Sequence, residues 1–352
     1  MKATEKDIQK LGSLYSGRRA FFGDLHNHSN SGGTSDGKCE LSVWRKEMQE
    51  LGMDFAAILD HRQVRHMYLP EWEDGVFIGG TEPGTAISDF KGEKNGMHYN
   101  MLFENAAPLE KLLDAFPEYQ FEGGAEGHFV YPSFTYERMR ELIAFVKENG
   151  GMFVFPHPKL ITESSDPLDY FLADETGIEV FYMDIKSEQT ELNYKLWCDL
   201  LSLGKRLWAC AGEDLHAHPS TNALTTIYAE EKKNKSYLSH LRVGDFVCGG
   251  VGIKMCIGDC LMGGKTDFDG KNLVVSVADF HRSYVKDGHT YKLVLLNDKG
   301  VVAEEKVFAD KENVLAFEIE NCNFYRVEIF DETENLRIAI GNPIWNEKNS
   351  RV

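Results

Sequence analysis

Short apolar runs alternate with amphipathic stretches over roughly the first 240 residues. Five apolar runs have the length of buried strands: 55–59, 76–78, 152–155, 178–182 and 207–211. Between them, residues 41–51 and 136–148 place apolar side chains at helical spacing, and each segment is followed by a glycine or an Asn-Gly pair. Strands that alternate with helices in this way predict a parallel α/β architecture.

The pattern changes after about residue 245. Five further runs, separated by turn signals, read as strands without intervening helices: 272–278, 290–296, 300–303, 314–319 and 324–330. This succession of strands predicts a small antiparallel β-sandwich. We therefore expect a lead-in segment at 1–19, an α/β domain at 20–245 and a β-sandwich-like domain at 246–352.

Ionisable residues follow the predicted strands, where α/β barrels and open α/β sheets place their sites. The candidates are histidines and carboxylates: His26, His28, Asp36, His61, Glu82, His98, His157, Asp214 and His216. Imidazole and carboxylate groups suit Zn²⁺, Mn²⁺ and Fe²⁺. Residues two apart on an extended strand point the same way, so the two HxH and DxH pairs can each reach one ion. Each motif alone is weak, and the ordered series is what predicts a metal centre.

The same motifs resemble those of the PHP (polymerase and histidinol phosphatase) superfamily over about residues 20–220. The matching segments are FGDLHNHS at 22–29, SDG at 35–37, LDHR at 59–62, GTE at 80–82, FPHP at 155–158 and GEDLH at 212–216, with His98 at the position of a further ligand. The third segment departs from the superfamily's TDHN, with Leu59 for Thr and Arg62 for Asn. The ending GNPIW at 341–345 is similar to that of two-domain members with a C-terminal β domain.

The resemblance implies a distorted (β/α)7 PHP-type barrel with two or three divalent metal ions (zinc, manganese or iron). It assigns the nine residues to three ion sites: His26, His28, Glu82 and Asp214 at the first, Glu82, His98 and His157 at the second, and Asp36, His61 and His216 at the third. The implied activity is that of a metal-dependent phosphoesterase, in which a metal-activated hydroxide hydrolyses a phosphate ester. These nine residues would then be both ligands and catalytic residues.

Three cationic side chains are candidates for binding the substrate phosphate. Arg62 follows His61 directly, and its guanidinium could bind phosphate oxygens in a bidentate manner, although a salt bridge to an acidic neighbour is an equal alternative. Lys159 follows the FPHP segment. Arg19 precedes the first strand, where a solvated surface position is the stronger alternative.

The formal net charge of −18 argues against a duplex nucleic acid partner and favours a small phosphorylated metabolite or nucleotide as the substrate. No apolar run approaches the length of a membrane span, and the N-terminus lacks the apolar segment of a secretory signal. The seven cysteines are odd in number and form no CxxC pair, which favours reduced thiols. We therefore expect a cytoplasmic protein without membrane contact. The oligomeric state is left open.

Two other functions are compatible with the sequence. The metal centre could hydrolyse a non-phosphate bond, such as a C–N or sugar ester bond. Alternatively, the chain could be a non-catalytic metal-binding or regulatory protein whose β-sandwich binds carbohydrate or protein. The aromatic-rich segment 116–134 could form a lid over the site, form a wall on which a base stacks, or pack within the barrel.

Overall fold

The computed structural model describes residues 4–119 and 132–349. The helices in these ranges are α1 (Glu5–Leu14), α2 (Leu41–Leu51), α3 (Ala107–Ala115), α4 (Tyr136–Glu148), α5 (Pro158–Ile161), α6 (Glu188–Ser202) and α7 (Asn234–Leu241). The strands up to α7 are β1 (Arg19–Asn27), β2 (Phe55–Ile58), β3 (Phe77–Thr81), β4 (Gly84–Ile87), β5 (Lys94–His98), β6 (Asn100–Phe103), β7 (Ser133–Phe134), β8 (Met152–Phe155), β9 (Thr162–Glu163), β10 (Thr176–Tyr182), β11 (Leu207–Gly212) and β12 (Thr225–Ala229). The strands that follow α7 are β13 (Val247–Gly249), β14 (Val251–Ile257), β15 (Cys260–Leu261), β16 (Lys265–Thr266), β17 (Asn272–Phe280), β18 (Tyr291–Asn297), β19 (Gly300–Val307), β20 (Asn313–Glu318), β21 (Phe324–Asp331), β22 (Leu336–Gly341) and β23 (Ile344–Asn346).

A sheet of 15 strands dominates the molecule and confirms the α/β class. Its first seven strands run in the order β11-β10-β8-β6-β3-β2-β1. Six of them are mutually parallel, whereas β6 runs antiparallel to both of its neighbours. The first and last strands of this run, β11 and β1, also meet at their carboxyl ends. The Asp214 amide donates to the His26 carbonyl at 2.8 Å, and the His28 amide donates to the Leu215 carbonyl at 2.9 Å.

The two helices expected from apolar spacing form over the expected residues. Helix α2 buries Leu41, Trp44 and Met48 on one face and ends at Gly52, whose φ of 82° closes the helix in the left-handed region. Helix α4 begins after Thr135, whose side chain accepts a hydrogen bond from the Arg138 amide. None of the helices in the described ranges combines the length and apolar character that crossing a bilayer requires.

Most strands after residue 245 belong to two antiparallel sets. One set pairs with β12 and so continues the main sheet beyond β1 in the order β13-β22-β21-β18-β19, and the other is a separate sheet of order β15-β14-β17-β20. Their apolar faces share one core with helix α2 and with strand β2, so that Trp44 packs in the same cluster as Ile253 and Ile329. The proposed boundary at 245/246 thus falls between two paired strands, β12 and β13.

Candidate metal centre

The nine residues expected to bind metal come together at one edge of the seven-strand run. Most lie at the end of a strand of this run or in the turn after it, because parallel strands bring their carboxyl ends to the same edge, whereas His98 ends a strand of a separate, smaller sheet. The strand ends that carry them are those of β1 (His26, His28 and, in the loop that follows, Asp36), β2 (His61), β3 (Glu82), β5 (His98), β8 (His157) and β11 (Asp214, His216).

Glu82 is the centre of the cluster and is 0% exposed. Five imidazole nitrogens surround its carboxylate. Oε1 lies 3.1 Å from His98 Nδ1 and 3.0 Å from His157 Nε2. Oε2 lies 3.1 Å from His26 Nε2, 3.2 Å from His28 Nε2 and 3.2 Å from His61 Nδ1.

Two aspartates extend the cluster towards solvent. Asp214 Oδ1 lies 2.9 Å from His28 Nε2 and 3.3 Å from His26 Nε2. Asp36 is half exposed, and its Oδ1 lies 3.1 Å from His216 Nε2 and 3.7 Å from His61 Nε2. The cluster therefore has a buried inner part around Glu82 and an outer part open to solvent at Asp36.

Within this cluster, three groups of side chains present ligand atoms within 4.8 Å of one another: His26, His28, Glu82 and Asp214; His28, Asp36, His61 and His216; and His61, Glu82 and His98. The first group is the set that the resemblance implies for one ion. The second adds His28 to the implied outer set, and the third contains His61 where His157 was implied. How the ligands are divided among ions stays a prediction.

The chemistry of the cluster fits divalent cations. His26 Nε2 and Glu82 Oε2 are buried 3.1 Å apart, yet neither has a hydrogen-bond partner. A ring nitrogen lone pair and carboxylate oxygens that converge in a buried space repel one another unless a cation or protons lie between them. The imidazole and carboxylate groups are the ligands preferred by zinc, manganese and iron.

The electrostatics lead to the same conclusion. Burial opposes protonation of His28, but its hydrogen bond to Asp214 and the nearby carboxylate of Glu82 raise the pKa of His28 to about 9. Burial favours neutral Glu82, but the neighbouring His26 and the hydrogen bond from His157 hold the pKa of Glu82 well below its usual range. Without metal ions, the cluster thus needs bound protons to balance its buried carboxylates.

Four non-glycine residues at this edge have left-handed backbone conformations. Their φ angles are 54° at Arg62, 29° at His157, 62° at Met183 and 54° at Asp214. Such conformations cost free energy for residues with a Cβ and persist where the surrounding structure enforces them. Two of the four are among the nine expected ligands, so local backbone strain coincides with the cluster.

Asp60 fixes the loop that carries Asp36. Its carboxylate accepts hydrogen bonds from the Ser29 amide at 2.6 Å, from the Ser29 hydroxyl at 2.8 Å and from the Ser31 hydroxyl. His66 Nδ1 lies 3.1 Å from the same carboxylate. Burial opposes ionisation, but His66 and these hydrogen bonds lower the pKa of Asp60 to about 2. The segment after β2 therefore holds the loop after β1 through a buried charged group.

The three cationic candidates are placed differently. Arg62 is half-buried directly beside His61. The Lys159 ammonium donates to the Tyr170 hydroxyl at 2.9 Å and to the Ser164 carbonyl at 3.1 Å. Arg19 begins β1, seven residues before His26 and hence about 23 Å from it along an extended strand. Its guanidinium lies over the Phe21 ring, so the structure does not bring Arg19 to the cluster.

Two residues on β10 contact the cluster although the sequence motifs did not indicate them. Glu179 lies 3.1 Å from His26 Nδ1. The Tyr182 hydroxyl donates to Asp214 Oδ2 at 3.0 Å. The available signal was a carboxylate inside the apolar run 178–182, since a charged residue in a buried strand needs a specific partner.

The aromatic segment at 116–134 is described only at its two ends. Tyr119 and Phe134 are buried, and their rings make an edge contact with centroids 5.5 Å apart. These two side chains belong to the core of the α/β part. Residues 120–131, on which the expected lid mainly rests, lie outside the described residues.

No family model matches the sequence. No curated protein matches it either. Among solved structures, the chain is similar to a two-domain protein from Bacteroides vulgatus ATCC 8482 that contains a predicted PHP-like metal-dependent phosphoesterase, with 16% identity, a TM-score of 0.43 and coverage of 90% of this chain and 91% of that chain. It is also similar to an amidohydrolase from Chromobacterium violaceum, with 18% identity, a TM-score of 0.37 and coverage of 57% and 89%. A third similar structure is Endonuclease Q in complex with a 27-mer duplex substrate, with 12% identity, a TM-score of 0.42 and coverage of 65% and 58%.

The expectation of a small substrate and no duplex nucleic acid is contradicted by the third of these structures, in which Endonuclease Q binds a duplex substrate. The expectation rested on the net charge of −18, which describes the whole molecule. Binding at a site depends on the local field, and a cluster of cations can reverse that field. Net charge therefore does not exclude a duplex partner. The first of these structures contains a predicted PHP-like phosphoesterase, and the sequence motifs of this chain resemble those of the PHP superfamily.

Proposed function

We propose that this protein is a metal-dependent phosphoesterase that acts at the cluster centred on Glu82. The observation that carries the proposal is the set of five imidazole nitrogens within 3.2 Å of one buried carboxylate. Two or three divalent ions would be held by the nine clustered side chains. When bound, such ions supply the positive charge and Lewis acidity that phosphoryl transfer requires.

The roles of the side chains differ with their burial. Glu82, His26 and His28 are fully buried and form the floor of the site. Asp36 and His216 lie on the open side, where a phosphate ester and the attacking water can enter. His216 Nδ1 lies 2.7 Å from the Asp214 carbonyl oxygen, which leaves Nε2, beside Asp36, as the nitrogen that would bind an ion. We place Arg62 as the first candidate for contact with the phosphate oxygens, with Lys159 second.

The finer features are part of the same proposal. The seven-strand run would close as a distorted (β/α)7 barrel, with the three ligand groups as a trinuclear site. The substrate is an ester of phosphate. The substrate panel for the test therefore comprises phosphorylated metabolites, nucleotides, a model phosphodiester and a DNA duplex with an abasic lesion, together with amide and carboxylic ester substrates.

The test combines metal analysis of the purified protein with this panel at fixed Mn²⁺ or Zn²⁺. We expect retained divalent metal and release of product from at least one phosphoester. The double variant Asp214→Ala/His216→Ala should lose metal and at least 100-fold in rate, as an order of magnitude for removing catalytic electrostatics.

The matched control is His218→Ala. His218 lies two residues beyond His216, is 65% exposed and pairs with Glu47 at 2.9 Å. This variant should keep both metal and rate. Full activity in the double variant, or product only from amide and carboxylic ester substrates, would contradict the proposal.

A further inference from the structure

Glu179 is a carboxylate in the interior of the seven-strand run. It lies on β10 within an apolar strand and is 1% exposed. Burial raises the pKa of its carboxyl group. A buried carboxylate costs several kcal/mol unless its oxygens are satisfied, so its contacts identify its role.

Both oxygens of Glu179 contact expected metal ligands. Oε1 lies 3.1 Å from His26 Nδ1. Oε2 accepts a hydrogen bond from the backbone amide of His157 at 2.7 Å. Glu179 itself belongs to none of the groups of converging ligand atoms, so it lies behind the ligands.

The neighbouring strand leaves room for this carboxylate. A Cβ at Gly212 on β11 would lie closer than 3.0 Å to Glu179 Oε1 and 2.6 Å from His26 Cβ. Gly212 therefore permits the contact between Glu179 and His26. The glycine belongs to the GEDLH segment that also supplies Asp214 and His216.

The contact with Glu179 determines which ring nitrogen of His26 faces the cluster. When Nδ1 carries the proton and donates it to Glu179, Nε2 presents its lone pair to the space beside Glu82 and Asp214. The second oxygen holds the backbone of His157, whose φ of 29° is strained. His157 Nε2 then lies 3.0 Å from Glu82 Oε1.

We propose that Glu179 is a positioning residue that keeps His26 in the Nδ1–H tautomer and anchors His157, so that both histidines bind metal through Nε2. This inference rests on the proposed metal-dependent function. Partners of this kind typically account for 10–100-fold in metal affinity.

The test compares Glu179→Gln with Glu179→Ala. A glutamine can accept from the His157 amide only by turning its NH₂ group towards His26 Nδ1, which then must accept and carry its proton on Nε2. The isosteric variant thus opposes metal binding, whereas alanine leaves His26 free to adopt either tautomer. We expect chelator competition to show about 10–100-fold weaker metal binding for Glu179→Gln and a smaller loss for Glu179→Ala. A merely structural residue would give the reverse order, since alanine leaves the larger cavity.

Glu328→Gln is the control for loss of a buried carboxylate. Glu328 is buried in β21 and pairs with Arg326 and, at 2.8 Å, with Arg337. We expect this variant to melt at a lower temperature and to keep the parent's metal affinity. Melting curves of all metal-free variants show whether each one folds. If the unmutated protein binds no metal, both the proposed function and this inference are contradicted. If the unmutated protein binds metal and Glu179→Gln binds it equally tightly, only the inference is contradicted.

Discussion

Gly212 on β11 lies beside the contact between Glu179 and His26. Adding a single methyl group there should have a large effect on stability and on metal binding. A Cβ there would overlap Glu179 Oε1 and lie 2.6 Å from His26 Cβ. We expect Gly212→Ala to displace one of these side chains, to destabilise the protein by about 1–3 kcal/mol and to weaken metal binding at least 10-fold. Denaturant unfolding and chelator competition measure the two effects.

Gly12→Ala is the control for this substitution. Gly12 lies in helix α1, where a new Cβ meets no atom within 4 Å. Alanine in a helix is favoured over glycine by about 0.5–1 kcal/mol, so this variant should be as stable as the parent or more so. An unchanged metal affinity in Gly212→Ala would show that the site tolerates the displacement.

At the scale of residues, the sequence predicted which side chains gather at the cluster but not what supports them. His26 and His28 could be identified because their motif is local and ordered along the chain. Glu179 stands out in the sequence only as a charged residue in an apolar strand, and its partners could not be predicted because its contacts with His26 and His157 join three separate strands. Arg19 shows the opposite failure: it is close to the first motif in sequence, while the extended strand carries it away from His26.

Helix α7 is tied to the strand before it and the turn after it by His240. Nδ1 lies 3.2 Å from Asp245 and Nε2 3.1 Å from Glu230, so both ring nitrogens face carboxylates. Burial opposes protonation, but these two hydrogen bonds raise the pKa of His240. Arg18 also contacts the pair, with Nη1 2.7 Å from Asp245 Oδ2. The histidine is 6% exposed and is expected to be an imidazolium in the folded protein at pH 6.

The folded-state pKa of His240 is raised, so its stabilising contribution is complete below the unfolded pKa of about 6.5 and is lost as the pH rises through the folded value. We expect His240→Gln to lower the free energy of unfolding by about 1.5–3 kcal/mol at pH 6 and by less at pH 9. Urea unfolding at the two pH values measures the difference. The exposed pair of His218 provides the control, because His218→Gln should change stability little at either pH. A penalty for His240→Gln that grows towards pH 9 would contradict this assignment.

At the scale of elements, long periodic segments were predictable and short strands were not. Helices α2 and α4 have the expected bounds because their apolar faces repeat over three turns. The small sheet β7-β4-β5-β9, which supplies His98, consists of strands of two to five residues. Strands β4 and β5 pair as neighbours in the chain, whereas β7 and β9 join them from distant parts of the sequence. No local pattern reveals strands this short. The antiparallel direction of β6 likewise depends on its neighbours.

At the scale of the whole molecule, the two expected domains share one sheet and one hydrophobic core. The main sheet crosses the proposed boundary through β12 and β13, and the core around Trp44 contains strands from both sides. Removal of residues 246–352 would expose that core and leave β12 without a partner on one side. We expect residues 1–245 alone to lack a cooperative thermal transition and to bind the dye ANS strongly, whereas the full chain unfolds in one transition. A metal-binding, cooperatively folding fragment of this length would show instead that the α/β part is independent.

Strand β13 pairs with β22, which lies roughly 90 residues further along the chain. During synthesis at about 5–20 residues per second, β13 therefore leaves the ribosome several seconds before its partner. Throughout that interval the apolar face of α2, with Trp44 and Met48, lacks part of its final cover. We expect the nascent chain to depend on chaperones at this stage. Slower translation of the segment between the two strands should keep this apolar face exposed for longer and increase aggregation.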